Sequence, residues 1–217
     1  TVTSVGNYAF SDCEKLAEKF KSAENIAVIG GGWIGLEIAA TARQRGKSVE
    51  IFEYGSRLCA RSVSPEVSDF LKEMHENEGT VIHLNATKLH LIEDSEQKIE
   101  VFDADIKLKK FDCVVVGAGA EIAKELASQA DLVVKDGIAV NEFGQTSDPH
   151  IYAAGDCAIH PTLGFCIQSW ANAQNQAISA AKSMLGEMTA YQDIPWLWSD
   201  QYQNNIQILG TYKPEET

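Results

Sequence analysis

The segment 25–53 constrains the fold more than any other part of this chain. NIAVIG (25–30) is a short Val/Ile run of the kind that forms a buried parallel strand. Directly after it, 33–44 carries Ile34, Leu36, Ile38, Ala39 and Ala42 at helical spacing, and SVEIF (48–52) reads as a second strand. Together these make a β-α-β unit, the smallest piece of a doubly wound sheet. At the strand-to-helix junction, Gly30, Gly32 and Gly35 satisfy G-x-G-x-x-G. That pattern alone is weak, but here a strand precedes it, a helix follows, and an acid, Glu53, tips the next strand. Gly30 permits a tight turn, Gly32 lets backbone approach a pyrophosphate, and Gly35 lets the helix close on the strand. The free amides at the helix start, around Trp33 and Ile34, hold the phosphate charge. Glu53 can accept from both adenosine ribose hydroxyls, and its charge repels a 2′-phosphate, which favours NAD(H) over NADP. Arg57 lies close enough in sequence to bind such a phosphate, so NADP remains the alternative.

The rest of the chain extends this unit. Ser11 with Glu14 reads as a capping box opening a helix to residue 21, with Leu16, Ala17 and Phe20 as its apolar stripe. Pro65 begins a helix to about residue 78 with the stripe Val67, Phe70, Leu71 and Met74, and Gly79 ends it. VIHL (81–84), KLHLI (88–92) and KIEVF (98–102) have period two and predict an antiparallel excursion. FDCVVV (111–116) returns as a buried strand ending in Gly117-Ala118-Gly119. This second glycine cluster has Ile122 where a third glycine would stand, so its plain reading is a close crossing between domains, with a boundary near Glu121. Short strands are expected at 137–140 and 151–154, then Gly155-Asp156. A helix over 169–185 carries Ala173, Ala177, Ile178, Ala181 and Met184, and a strand region follows over 196–210. By spacing alone, Asp156 could be a helix cap and Trp196 and Trp198 ordinary core aromatics.

Composition closes off several functions. Among 217 residues, 18 Lys and Arg stand against 31 Asp and Glu, a net charge of −13, which argues against a nucleic-acid surface. No apolar run approaches the ~18 residues of a membrane span. Five cysteines with no Cys-x-x-Cys pair fit reduced thiols in a cytoplasmic protein, and the histidines form no ligand cluster, so no metal site is expected. The length allows one large domain or two modest ones. The chain begins at Thr1 without a basic-then-apolar leader.

Four segments, GGGWIGLEIAA (30–40), TSDPHIYAAGDCA (146–158), SWANAQNQA (169–177) and PWLWSDQY (195–202), carry a resemblance. The chain resembles the FAD-dependent pyridine nucleotide-disulfide oxidoreductase superfamily, and within it the ferredoxin-reductase branch that serves ring-hydroxylating dioxygenases and some cytochrome P450 systems. The resemblance implies an α/β fold: a Rossmann-like three-layer NAD-binding domain with an antiparallel excursion (1–120), the second half of a Rossmann-like FAD-binding domain (121–190) and the start of a C-terminal interface domain (191–217). It implies that Gly30, Gly32, Trp33, Ile34, Gly35 and Glu53 bind the ADP part of NADH, with Gly119 a further cofactor contact. Glu37 would face the nicotinamide, and Asp156 would bind the ribityl chain of FAD. Ser169 and Trp170 would lie against the flavin ring, with Trp196 and Trp198 near its edge. Glu37 and Trp170 are then the residues nearest the chemistry. The implied reaction is hydride transfer from NADH to FAD and electron release to a ferredoxin or similar iron–sulfur partner.

Some features depart from the family pattern. Val5-Gly6-Asn7 stands where an arginine segment usually approaches FAD, and Cys166 and Gln168 stand where arginine and glutamate usually precede the Ser/Thr-Trp pair. Neither the first FAD-pyrophosphate loop nor a full C-terminal domain is present, so the chain reads as a fragment that holds FAD weakly or not at all. Alternative readings are another NADH-dependent flavoprotein, such as an NADH oxidase or nitrite-reductase flavin module, and a non-catalytic NAD-binding module.

Overall fold

The computed structural model describes residues 14–96, 98–104 and 106–212. They fall into two compact units. The first holds the described residues up to Ala120 together with Ser199–Ile206, and the second holds Glu121–Trp198 with Gln207–Thr211. Ser11, Cys13 and the Gly6 segment lie outside the described residues.

The first unit opens with helix α1 (Glu14–Ser22), followed by strand β1 (Asn25–Ile29), helix α2 (Trp33–Gln44) and strand β2 (Ser48–Phe52). Helix α3 (Pro65–Asn77) and strand β3 (Val81–His83) come next, then β4 (Leu89–Glu93), β5 (Ile99–Asp103), β6 (Ile106–Phe111) and β7 (Cys113–Val116). β3, β2, β1 and β7 form one parallel sheet in that order. Side chains alternate across it as strand geometry requires. On one face Ala27 and Phe52 pack with Val101, Phe111 and Ala86, joined by Leu89, Leu91 and Val114, which welds the antiparallel sheet β4-β5-β6 onto the parallel one. The intervening residues Ile26, Val28, Val49 and Ile51 are buried from the other face, the side of α2, whose Leu36, Ile38, Ala39 and Ala42 are also buried. Helices, parallel sheet and antiparallel sheet make the three layers of a Rossmann-like α/β fold.

Three expectations need correction in this unit. VIHL is not part of the antiparallel excursion: β3 pairs in parallel with β2. His83 decides this, because its Nε2 lies 2.8 Å from Glu50 Oε2, its ring stacks on Phe52 at 4.5 Å, and its carbonyl accepts the Glu53 amide at 2.8 Å. FDCVVV is two strands, divided at Asp112. The Asp112 carboxylate accepts the amides of Glu24 and Asn25 at 2.9 Å each and so fastens β7 to the entry of β1. The buried line of α3 is Ser68, Leu71 and His75, whereas Phe70 is exposed. The helix is rotated so that Ser68 Oγ can donate to the Leu58 carbonyl at 2.6 Å and accept from Arg57 Nη1 at 2.8 Å.

The second unit contains helix α4 (Glu125–Gln129), a 3-10 turn (Gly155–Cys157) and helix α5 (Trp170–Met184). The strands expected at 137–140 and 151–154 are only isolated bridges, Val134 to Ile138, Ile138 to Ala158 and Gln145 to Tyr152. Helix α5 starts as predicted, with Ser169 Oγ accepting the Asn172 amide at 3.3 Å. Its inner face differs: Ala171, Asn172, Gln176, Ser179, Ala180 and Ser183 are buried, and Ile178 and Met184 are exposed. The reason is a close approach by loops, since a Cβ at Gly144 would stand 2.8 Å from Ala180 Cβ and one at Gly155 3.3 Å from Ala173 Cβ. Small side chains admit those loops, and Asn172 and Gln176 satisfy their backbone at Ile167 and Gly155. The closing hairpin, β8 (Trp196–Gln201) and β9 (Asn204–Leu209), is shared between the units.

Candidate dinucleotide-binding site

In the order β3-β2-β1-β7 the chain leaves β1 in one direction for β2 and β3 and returns on its other side at β7. The carboxyl ends of β1 and β7 are therefore a topological switch point, where open α/β sheets bind ligands. The three glycines of the motif sit there and are needed for three different reasons. Gly30 has φ +104°, donates its amide to Phe52 O at 2.8 Å, and would place a Cβ 2.5 Å from the Gly117 carbonyl oxygen. Gly35 lets α2 descend onto the Gly30 carbonyl, which a Cβ would strike, and brings the helix within reach of Val28. Gly32 answers to neither demand: φ is −84°, and nothing lies within 4 Å of where its Cβ would be. It is also the N-cap of α2, which has no side-chain cap and no acidic residue in its first turn. A helix N-terminus left bare beside open space is a cradle for an anion, and the amides of Trp33, Ile34 and Gly35 belong to its first turn. The residues present therefore fit a dinucleotide pyrophosphate.

Glu53 lies beside this cradle. Its Oε2 accepts the Gly31 amide at 2.5 Å and its Oε1 accepts the Gly55 amide at 2.6 Å, so the carboxylate is held rigidly while each oxygen keeps a second acceptor position. Gly31, which sequence reasoning passed over, is thus part of the site: a Cβ there would meet Leu58 Cδ2 at 2.5 Å. Arg57 is committed elsewhere, donating to Val63 O at 2.7 Å, Ala60 O at 2.8 Å and Ser68 Oγ at 2.8 Å. It braces the loop after β2. Gly119 has φ +109° and lies 3.5 Å, at its Cβ position, from Arg61 Nη2. The close crossing made by this second glycine cluster lies within the first unit, at Gly117 and Gly30, rather than between domains.

Glu37, on the second turn of α2, accepts from Ser199 Oγ at 2.6 Å. Burial pushes its carboxyl pKa up, the Ser199 hydrogen bond opposes this, and Asp200 adds to it. Cys59 sits behind the glycine turn with its thiol pushed up to about 12 by burial, and so is no nucleophile. The indole Nε1 of Trp33 is buried without a partner among the described residues.

The remaining predicted residues belong to the second unit. Asp156, in the 3-10 turn, has its pKa raised by burial and has no side-chain partner among the described residues, which suits an acceptor for ligand hydroxyls. Ser169 caps α5, and Trp170 next to it is about half exposed. Trp170 meets Trp198 edge-on at 5.8 Å, and Trp198 stacks on Trp196 at 5.1 Å. These three form a surface aromatic cluster, so the reading as core aromatics does not fit. Cys59, Cys113, Cys157 and Cys166 are free thiols. Among the described residues no cluster of His, Cys, Asp or Glu could hold a metal, and no helix is long and apolar enough to cross a membrane.

A parallel sheet with a glycine turn at its switch point and an acid-tipped second strand is the arrangement of a Rossmann-like α/β fold. Residues 4–177 match the family model of the pyridine nucleotide-disulphide oxidoreductases, and the chain belongs to that family. It is 37% identical over 211 residues to the ferredoxin–NAD(+) reductase component of the anthranilate 1,2-dioxygenase system of Burkholderia cepacia, covering 95% of this chain and 52% of that protein. Among solved structures it resembles the ferredoxin reductase for the CYP199A2 system of Rhodopseudomonas palustris, with a TM-score of 0.84, 35% identity, 93% of this chain and 51% of that one. It also resembles the putidaredoxin reductase of a covalent complex with putidaredoxin, with a TM-score of 0.83, 34% identity, 93% of this chain and 50% of that one. The chain spans about half the length of the relatives it matches.

Proposed function

We propose that this chain is the NADH-binding part of a ferredoxin-reductase-like flavoprotein that accepts hydride from NADH on FAD and passes electrons to a ferredoxin-type iron–sulfur protein. The observation that carries the reading is Gly32: a glycine that no turn and no packing requires, set at the uncapped start of α2. Around it Gly30, Gly35, Trp33 and Ile34 form the pyrophosphate cradle, and Glu53 takes the adenosine ribose hydroxyls. With Arg57 tied to the loop carbonyls, the charge nearest the 2′ position is that of Glu53, which favours NADH over NADPH. Gly119 contributes backbone at the end of β7, and Glu37 stands toward the nicotinamide.

Residues 1–120 form the NAD(H) domain, 121–190 the second half of an FAD domain, and 191–217 the start of an interface domain. Asp156 is the acceptor for FAD ribityl hydroxyls, and Ser169 and Trp170 shape the surface on which the flavin ring rests. When bound, FAD supplies the hydride acceptor and the one-electron steps. The chain's own task is to bind the dinucleotide and orient its nicotinamide half. The exposed tryptophans 170 and 196 suit docking of an iron–sulfur partner, and the setting is the cytoplasm. The unpartnered Asp156 also suits other NADH-dependent flavoproteins, so the acceptor has to be tested directly.

Titration of the 217-residue chain with NADH, followed by nicotinamide fluorescence, tests the core of this reading. Glu53→Ala is expected to weaken NADH binding at least tenfold, since hydrogen bonds to a charged group are worth about 1.5–3 kcal/mol. Unchanged affinity would remove Glu53 from the ribose.

A further inference from the structure

A line of hydrogen-bonded side chains runs through the first unit and ends at Glu37. Ser199 Oγ donates to Glu37 Oε1 at 2.6 Å, and Gln201 Nε2 donates to Ser199 Oγ at 2.9 Å. Gln201 Oε1 meets His75 Nε2 at 2.8 Å, His75 Nδ1 meets the Tyr202 hydroxyl at 3.0 Å, and that hydroxyl meets Thr80 Oγ1 at 3.4 Å. Ser199, Gln201 and His75 are all but fully buried.

The chemistry of the groups fixes the direction of the line. An amide oxygen only accepts, so the His75 proton sits on Nε2 and leaves Nδ1 to accept from Tyr202. The Gln201 nitrogen only donates, so the Ser199 oxygen is already an acceptor and its single proton is left to point at Glu37. Every link from Tyr202 onward therefore donates toward the same carboxylate.

The backbone supplies a second observation. Tyr202 is the first residue of the turn between β8 and β9 and has φ +55°, a left-handed conformation in which glycine or asparagine is usual. A tyrosine there costs backbone energy, and its ring meets His75 edge-on at 5.1 Å. The side chain, not the turn, explains the residue.

We propose that Ser199 and Gln201, backed by His75 and Tyr202, are positioning residues that fix how Glu37 presents its carboxylate to the nicotinamide half of the dinucleotide. This rests on the reading that Glu37 faces the nicotinamide. With Oε1 held by Ser199, Oε2 is the oxygen offered to an amide or hydroxyl donor of the ligand. The titratable groups that face Glu37 are Asp200 from β8 and Cys59 from the loop after β2, and Glu78 faces both His75 and Tyr202, with Arg43 facing Tyr202.

The test uses the 217-residue chain with its glutamate side-chain carboxyls carbon-13 labelled, and compares Ser199→Ala, Gln201→Met and Glu37→Gln. Removing the Ser199 donor is expected to move the Glu37 titration to higher pH. Gln201→Met, which frees the serine hydroxyl to turn, moves it the same way by less. An unmoved Glu37 titration in both variants overturns the proposal, because a merely structural Ser199 would leave it in place. In parallel, NADH affinity is measured against that of ADP-ribose, which lacks the nicotinamide. That ratio is expected to fall about tenfold in Glu37→Gln and about threefold in Ser199→Ala. If the Glu37 titration moves while the ratio stays constant in Glu37→Gln, the hydrogen-bond line stands and the nicotinamide reading fails.

Discussion

At the residue scale the glycine motif separates into parts that fold the chain and a part that leaves room for something else. Gly30→Ala forces φ +104° on a residue with a Cβ and drives that Cβ toward the Gly117 carbonyl, so it is expected to cost about 2 kcal/mol or more of stability. Gly32→Ala meets open space at an ordinary φ, so urea denaturation should show a change within about 0.5 kcal/mol. On the proposed reading the methyl group takes the pyrophosphate's place, so NADH affinity should nevertheless fall more than tenfold. Equal stability losses in the two variants would contradict this separation. The turn at Gly30 and the close helix approach at Gly35 were legible in the sequence, since strand, glycine spacing and helix stood in the required order. What was not legible was the support for Glu37. Ser199 and His75 are distant from it in sequence, and no periodicity marks a serine that caps nothing and a histidine on an inner helix face.

At the element scale the sequence pattern located the segments well and their faces less well. Helix α3 shows why. Its hydrophobic residues suggested a stripe through Phe70, but the buried line is Ser68, Leu71 and His75, because two polar side chains have specific inward partners. Leu71→Ala is accordingly expected to cost about 3 kcal/mol, and Phe70→Ser about 0.5 kcal/mol or less, when unfolding is followed by circular dichroism in urea. A comparable loss at both positions would restore the apolar stripe. Helix α5 repeats the lesson with Gln176, whose side-chain oxygen accepts the Gly155 amide while Ile178 is exposed. Hydrophobic periodicity cannot anticipate a face selected by hydrogen bonds to a loop. Strand β3 was misassigned for a related reason: three residues are too few to show a period, and His83 chose the parallel partner through Glu50 and Phe52.

At the scale of the whole molecule these buried polar groups make stability depend on pH in a direction that can be worked out. Burial lowers the pKa of His75 from its ordinary value of 6.5. The unfolded chain then binds a proton that the folded one refuses, so the stability from this site is complete above about pH 6.5 and is lost as pH falls from there toward the folded pKa. Glu37 and Asp156 act in the opposite sense, because their raised pKa values favour the folded state as pH falls below them. A wild-type profile alone would mix these contributions. The difference between wild type and His75→Gln isolates the histidine, since every other group is common to both. The variant keeps hydrogen-bonding capacity toward Gln201 and removes the titration. Thermal midpoints measured from pH 7.5 down to 5.5 should therefore show wild type losing ground steadily relative to the variant. A constant gap across that range would mean that His75 accepts a proton without cost in the folded state, against the burial that lowers its pKa.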